Sequence, residues 1–109
     1  VWSRNRDDYD ILVYSANWPE ARRDVWNTLL KARAIENLSY CIGVNRVGTD
    51  GQGISYVGES MVVDGKGRIL NDLIIDSEDI IYAEISLSEL RKLRNDFPVH
   101  KDADNFSLE

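Results

Sequence analysis

The segment Tyr9-Asp10-Ile11-Leu12-Val13-Tyr14-Ser15-Ala16 carries a continuous β-branched and aromatic run instead of an alternation. Such a run suits a strand covered on both faces, so a central strand is expected over Ile11–Ala16. Asn17-Trp18-Pro19-Glu20 follows, and Pro19 both breaks the strand and presets φ for a first helical turn. From about Arg22 to Leu38 the chain has good helix formers and no internal Gly or Pro. Val25, Leu29, Ala32 and Glu36 form one stripe, with Trp26, Leu30, Arg33 and Asn37 beside it. Packed on the strand, Val25, Leu29 and Leu30 are each expected to contribute roughly 1.5–3 kcal/mol of transfer free energy. Tyr40 to Val47 reads as a second strand, which makes a βαβ-like unit with a right-handed crossover.

The remainder is richer in strands. Thr49-Asp50-Gly51-Gln52-Gly53 is a turn cluster, and Ser55 to Val63 is expected to return antiparallel. Asp64-Gly65-Lys66-Gly67 is a second tight turn, leading into a meander strand over Arg68 to Ile75. The acidic loop Asp76-Ser77-Glu78-Asp79 precedes a strand from Ile80 to Ile85. Ser86-Leu87-Ser88-Glu89 has the spacing of a capping box, opening a helix that runs to about Asp96 or Phe97 and stops at Pro98. The tail from Val99 has no period and is expected to be extended. The fold class is therefore α/β, a mixed sheet with two helices.

Composition narrows the function. The 109 residues hold 19 acidic and 13 basic side chains, a net charge of −6, so a polyanion would bind against the mean field and nucleic acid is not an expected partner. No apolar run approaches the roughly 20 residues that cross a bilayer, and no membrane association is expected. The start Val-Trp-Ser-Arg has neither an initiator Met nor a leader pattern, which suggests a piece of a longer protein. Leu108-Glu109 reads as a possible tag linker, leaving residues 1–107 as one domain portion. One cysteine and one histidine support no internal disulfide, no Cys-based cluster and no His-rich site, so neither metal nor cofactor is expected and the cytoplasm is the default compartment.

Few residue patterns carry chemistry. Cys41 lies within the apolar stretch Tyr40-Cys41-Ile42-Gly43-Val44, where burial raises a thiol pKa and blocks access, so it is read as structural. His100 sits among Lys and Asp after Pro98 and is read as a surface residue. Arg33 and Glu36 are spaced for a buried ion pair, with Asn37 bonding nearby backbone, which is a scaffold role. The turn at Asp50-Gly51-Gln52-Gly53 lacks both the Lys-Ser/Thr ending of a phosphate loop and the spaced oxygens of a calcium loop. The Asn37-Leu38-Ser39 and Asn105-Phe106-Ser107 sequons are read as chance, and Asp7-Asp8 and Asp76 to Asp79 as solvated loops.

The run Asn17-Trp18-Pro19, Arg22-Arg23, Trp26, Leu30, Ala32-Arg33-Ala34-Ile35-Glu36-Asn37, Tyr40, Gly43, Asn45-Arg46-Val47-Gly48, Asp50-Gly51, Tyr56, Gly58, Ser60 and Asp64 strongly resembles the carbon–nitrogen hydrolase (nitrilase) superfamily. Within it the chain is similar to the ω-amidase-type branch, as is the tail Phe97-Pro98 with Lys101-Asp102-Ala103-Asp104 and Phe106. The resemblance implies part of an αββα sandwich. It implies, for the full-length parent, hydrolysis of the amide of small ω-amido dicarboxylates through a cysteine thioester, with a Glu base and an oxyanion-steadying Lys.

None of those three residues matches a position here. The Cys motif would end immediately before Val1, with Glu and Lys further upstream, so no catalytic residue is expected in this chain and the role is not transferred to Cys41. Asn17 and Trp18 follow the carboxyl end of a strand, the usual ligand position in α/β folds, and are expected to line the acyl pocket. Arg22, Arg23 or Arg46 could pair with a substrate carboxylate or serve structural salt bridges. A sandwich half leaves one sheet face bare, so a homo-oligomer is expected, through that face or a swapped strand. The alternative is a stand-alone, non-catalytic interaction domain on the same scaffold.

Overall fold

A computed structural model describes residues 8–108 of the chain. The expectations on the Val1 start, on Asp7 and on Glu109 lie outside the described residues. Strand β1 (Ile11–Ala16) runs parallel to β2 (Tyr40–Asn45), with Ile11 opposite Tyr40 and Ala16 opposite Asn45. Helix α1 (Arg23–Asn37), entered through a 3₁₀ turn at Glu20–Arg22, makes the crossover between them. Strand β5 (Met61–Val63) pairs antiparallel with the other side of β2, Gly43 opposite Met61. The three-stranded order β1-β2-β5 corrects one expectation: β2 is central, and β1 lies at the edge of this sheet.

Side chains alternate along these strands. Cys41, Met61 and Val63, with the partly buried Tyr14 and Ala16, pack beneath Trp26, Leu30 and Ala34 of α1. The opposite face carries Ile11, Val13 and Val44, the last two 58% and 49% exposed, so β1 is covered on one face and not on both. The buried stripe of α1 is Trp26, Leu30, Ala34 and Asn37. Val25 and Leu29, expected in the core, are each 38% exposed. The helix is rotated by about one residue from the expected orientation because the opposing position on β2 is Gly43. Its missing side chain leaves the space that Leu30 and Trp26 fill, and a Cβ there would lie 2.5 Å from Leu30 Cδ1 and 2.7 Å from Trp26 Cζ2.

The expected strand from Tyr40 to Val47 is broken at Arg46, and that from Ser55 to Val63 at Gly58-Glu59-Ser60. The pieces form a separate two-stranded ribbon of β3 (Val47–Thr49) and β4 (Ser55–Val57). Its turn is held by Asp50, whose Oδ1 accepts the amides of Gln52 (2.9 Å) and Ile54 (3.0 Å). Asp64 does the same for the second turn, accepting from Lys66 and Arg68 at 2.9 Å each. Beyond it the expected strands over Arg68 to Ile75 and Ile80 to Ile85 are irregular, with isolated bridges Val63–Ile69 and Gly58–Ile75. The Asn71 side chain accepts the Val62 amide (2.7 Å), replacing a ladder bond, and Asp76 turns the chain with φ of 59°.

Helix α2 (Leu87–Asp96) starts at Ser86, whose hydroxyl accepts the Glu89 amide at 3.2 Å. The reciprocal arm of the expected capping box is taken by the Tyr40 hydroxyl, which accepts the Ser86 amide (3.0 Å) and donates to the Ser86 carbonyl (3.1 Å). Arg94 then fastens α2 to the sheet. Its guanidinium donates to the Leu38 and Tyr9 carbonyls, the Ser39 hydroxyl and Asp10 Oδ1 at 2.6 Å. Leu38 is the left-handed cap of α1, at φ 44°, a conformation that costs about 1–2 kcal/mol for a residue with a Cβ. The bond from Arg94 to its carbonyl helps hold it there. Arg33 and Glu36 do pair, at 2.7 Å, but with 29% and 47% exposed side chains the pair lies at the surface and not in the core. Asn37 is buried and donates to the Arg33 carbonyl, as expected. The tail forms an exposed 3₁₀ turn over Val99–Asp102 in place of extended chain. Among the described residues no helix is long and apolar enough to cross a membrane.

Candidate functional site

Parallel strands leave their carboxyl ends side by side, and ligands of α/β sheets bind in the crevice beyond those ends. Here the ends of β1 and β2 place Asn17-Trp18 next to Asn45-Arg46. The amide of Asn45 faces the Trp18 main chain: Oδ1 accepts the Trp18 N–H at 2.8 Å and Nδ2 donates to the Trp18 carbonyl at 3.0 Å. The same Nδ2 donates to the Gly58 carbonyl at 3.0 Å, drawing in the break between β4 and β5. The Ser60 hydroxyl accepts the Asn45 amide at 3.0 Å. Three chain segments, the loop after β1, the end of β2 and the break between β4 and β5, thus meet at Asn45.

The break itself is an unusual piece of backbone. Gly58 has φ of 76° and Glu59 φ of 57°, the left-handed region that penalises any residue with a Cβ. Glu59 is only 3% exposed, and its carboxylate takes both Nε (2.7 Å) and a terminal NH₂ (3.2 Å) of Arg23. Its carbonyl accepts the Trp26 indole N–H at 3.0 Å. A cleft of about 310 Å³ opens beside this break, lined by Asn45, Arg46, Glu59, Ser60 and the Ile74–Ile81 stretch. A second, apolar groove of about 410 Å³ lies between β1 and α1, lined by Tyr14, Trp18, Leu29 and Arg33 among others.

Trp18 is partly buried against the core, its ring 6.0 Å from that of Trp26, and its indole N–H donates to the Arg22 carbonyl at 2.7 Å. The Arg22 guanidinium lies 5.0 Å over the Trp18 ring. Arg46 lies 4.5 Å over the Tyr56 ring, and the Tyr56 hydroxyl donates to Asp50 Oδ2 at 3.0 Å while Asn17 reaches the same hydroxyl. The amides of Ile54 and Gln52 hold the Asp50 carboxyl below its usual range, and the bond to that carboxylate, with burial, pushes the Tyr56 phenol up. The structure therefore gathers Asn17, Trp18, Arg22, Arg23 and Arg46 around the strand ends. Arg33, Glu36 and Asn37 sit toward the far end of α1. Among the described residues no group of three or more His, Cys, Asp and Glu side chains comes together as a metal site.

In the sequence Asn45 and Ser60 stand out only as carriers of the family resemblance, with no role at the strand ends, and Glu59 does not stand out at all. A signal existed, since an isolated Gly58 inside a strand pattern marks a bulge or a close backbone approach. Cys41 is 1% exposed, and burial pushes its thiol up from 9.0 to about 11. The folded chain therefore holds the proton more tightly than the unfolded one. Stability from this group is complete below pH 9 and is lost as pH rises through about 11, by on the order of 2 kcal/mol. Urea titrations at stepped pH should show that fall, and Cys41→Ala should lack the part between pH 9 and 11. A variant with the parental profile would refute the assignment.

An α/β unit with a ligand-type crevice at its parallel strand ends is thus the class that the fold and site define. The carbon–nitrogen hydrolase model matches residues 3–95, and the chain belongs to that family. It is 48% identical over 108 residues to omega-amidase YafV of Escherichia coli K12, a match covering 99% of this chain and 42% of the relative. It is 41% identical over 91 residues to 2-oxoglutaramate amidase of Paenarthrobacter nicotinovorans, covering 83% of this chain and 30% of that one. Among solved structures, the CN-hydrolase superfamily protein XC1258 of Xanthomonas campestris, with an arsenic adduct in its active site, superposes with a TM-score of 0.86. The two are 43% identical over 94% of this chain and 38% of the other. The chain thus spans less than half the length of these relatives.

Proposed function

We propose that this chain is the non-catalytic C-terminal portion of a cytoplasmic ω-amidase-like carbon–nitrogen hydrolase. Its parent cleaves the amide of small ω-amido dicarboxylates through a cysteine thioester whose residues lie upstream. The observation that carries the reading is the Asn17-Trp18 loop, pinned at the carboxyl ends of two parallel strands; that is the usual ligand position of an α/β sheet and supports a place for the loop in the acyl pocket. The buried, proton-retaining Cys41 supports a nucleophile elsewhere. Of the three arginines, Arg23 is engaged by Glu59. Arg22 and Arg46 lie over the Trp18 and Tyr56 rings, and attraction to a ring face does not require the guanidinium N–H groups that bind a carboxylate. These two are the carboxylate candidates.

The bare face with Ile11, Val13 and Val44 supports a second apolar layer, supplied in the parent by the rest of the sandwich and in the isolated chain by a second copy. The isolated chain should release no ammonia from a glutaramate-type amide and should sediment as a dimer or larger. Joined to its upstream residues, it should be active. There, Asn17→Ala should lower kcat/KM about tenfold with little change in Tm, because Asn17 sits outside the core whereas Trp18 packs on it. Enzyme-like turnover by the isolated chain, or equal loss of efficiency and Tm on Asn17→Ala, would overturn the reading.

A further inference from the structure

We infer that Asn45 is the positioning residue of the acyl pocket. Its side-chain amide clamps the Trp18 main chain and fixes the pocket's depth, and with it the length of acyl chain that fits. The inference rests on the reading of Asn17-Trp18 as pocket residues and adds a residue and a role to it.

The geometry is that of a backbone mimic. A carboxamide offers one donor side and one acceptor side, and Asn45 applies both to the N–H and C=O of one residue, as a neighbouring strand would. The loop after β1 has left the sheet at Ala16, so no strand supplies these partners, and Asn45 substitutes for one. The third bond, to the Gly58 carbonyl, ties the loop to backbone that is itself immobilised: Glu59 is anchored by Arg23 through its carboxylate and by Trp26 through its carbonyl. On the near side Ser60 holds the Asn45 main chain, so the amide is not free to swing. Trp18 is thereby fixed by its main chain, and its indole by the Arg22 carbonyl. A side chain held at both ends makes a wall at a set distance from the strand ends. Aspartate at 45 retains the acceptor for the Trp18 amide but turns the donor into a second acceptor facing two carbonyls.

The test has two arms. In the 109-residue chain, the Trp18 amide should exchange with deuterium much more slowly than that of Asn17, and Asn45→Asp should speed it at least about tenfold, the loss expected when a buried donor meets two acceptors. In the parent enzyme, Asn45→Asp should reduce discrimination between the four- and five-carbon ω-amides at least about tenfold, chiefly through KM, while alkylation of the active-site thiol by iodoacetamide keeps its rate. Should the aspartate variant not fold, Asn45→Ser, which leaves room for a water at the same groups, takes both readouts. A rapidly exchanging Trp18 amide in the parental chain, or no change on substitution, overturns the clamp and leaves the pocket reading intact. Faster exchange with unchanged chain-length discrimination overturns the inference by removing Asn17-Trp18 from the pocket. A thiol that alkylates more slowly shows general damage, and that too refutes a positioning role.

Discussion

Leu30→Ala should lower the unfolding free energy of this chain by about 2–5 kcal/mol, and Gly43→Ala by about 1–3 kcal/mol, yet the double variant should lose less than the sum. Leu30 is 3% exposed at the centre of the α1 stripe, so truncating it leaves a cavity that a 15-residue helix can only partly close. At Gly43 a methyl group would lie 2.5 and 3.0 Å from the two Leu30 methyls and 2.7 Å from the Trp26 ring. Trp26 cannot readily yield, because its indole N–H is held by the Glu59 carbonyl. With Leu30 shortened, two of those three collisions vanish and the new methyl fills part of the void. The coupling should reach about 1 kcal/mol in urea unfolding, whereas independent sites add to within about 0.5 kcal/mol. Additivity would mean that α1 does not pack on β2 at this point. The same contact places the carboxyl end of β2, two residues on, where Asn45 meets the Trp18 loop.

This contact also shows where the sequence is legible and where it stops being so. The strand-helix-strand unit was readable because each boundary has a local chemical cause: Pro19 ends one strand, the absence of Gly and Pro sustains the helix, and the turns are made by Asp50 and Asp64 bonding their own backbone. Which stripe of α1 faces inward was not, because Val25-Leu29 and Trp26-Leu30 are both apolar and only the partner surface at Gly43 decides between them. The expected strands after Arg68 failed for a related reason: β-branched residues mark a fit to a half-buried pleated surface, and Ile80 and Tyr82, 71% and 83% exposed, have no such surface in this chain. The place of the Asn17-Trp18 loop at the strand ends is legible from its position after a strand. Its support was hidden because the partners lie 13 to 36 residues apart in sequence, as for Asn45 with Gly58 and Arg23 with Glu59.

Arg23→Ala should be the other large loss, the greater of the pair's two single changes although the arginine side chain is 40% exposed. The damage comes from what remains. Glu59 is 3% exposed and would keep a charge in a place it cannot leave, since its carbonyl is bound by Trp26 and its φ of 57° is set by the neighbouring break. Glu59→Gln should cost only about 1 kcal/mol, because Arg23 can turn its unpaired charge to solvent and the amide oxygen still accepts one of its N–H groups. The pair is therefore asymmetric, and Arg23→Ala/Glu59→Gln should be more stable than Arg23→Ala alone, the neutral side chain removing the stranded charge. Urea midpoints of the three variants decide it: equal losses for the two single changes would place Glu59 in contact with water. A carboxylate that needs its arginine in order to stay buried also locks the Gly58 carbonyl at Asn45. Arg23→Ala should therefore speed exchange of the Trp18 amide, although Arg23 is not a partner in that bond.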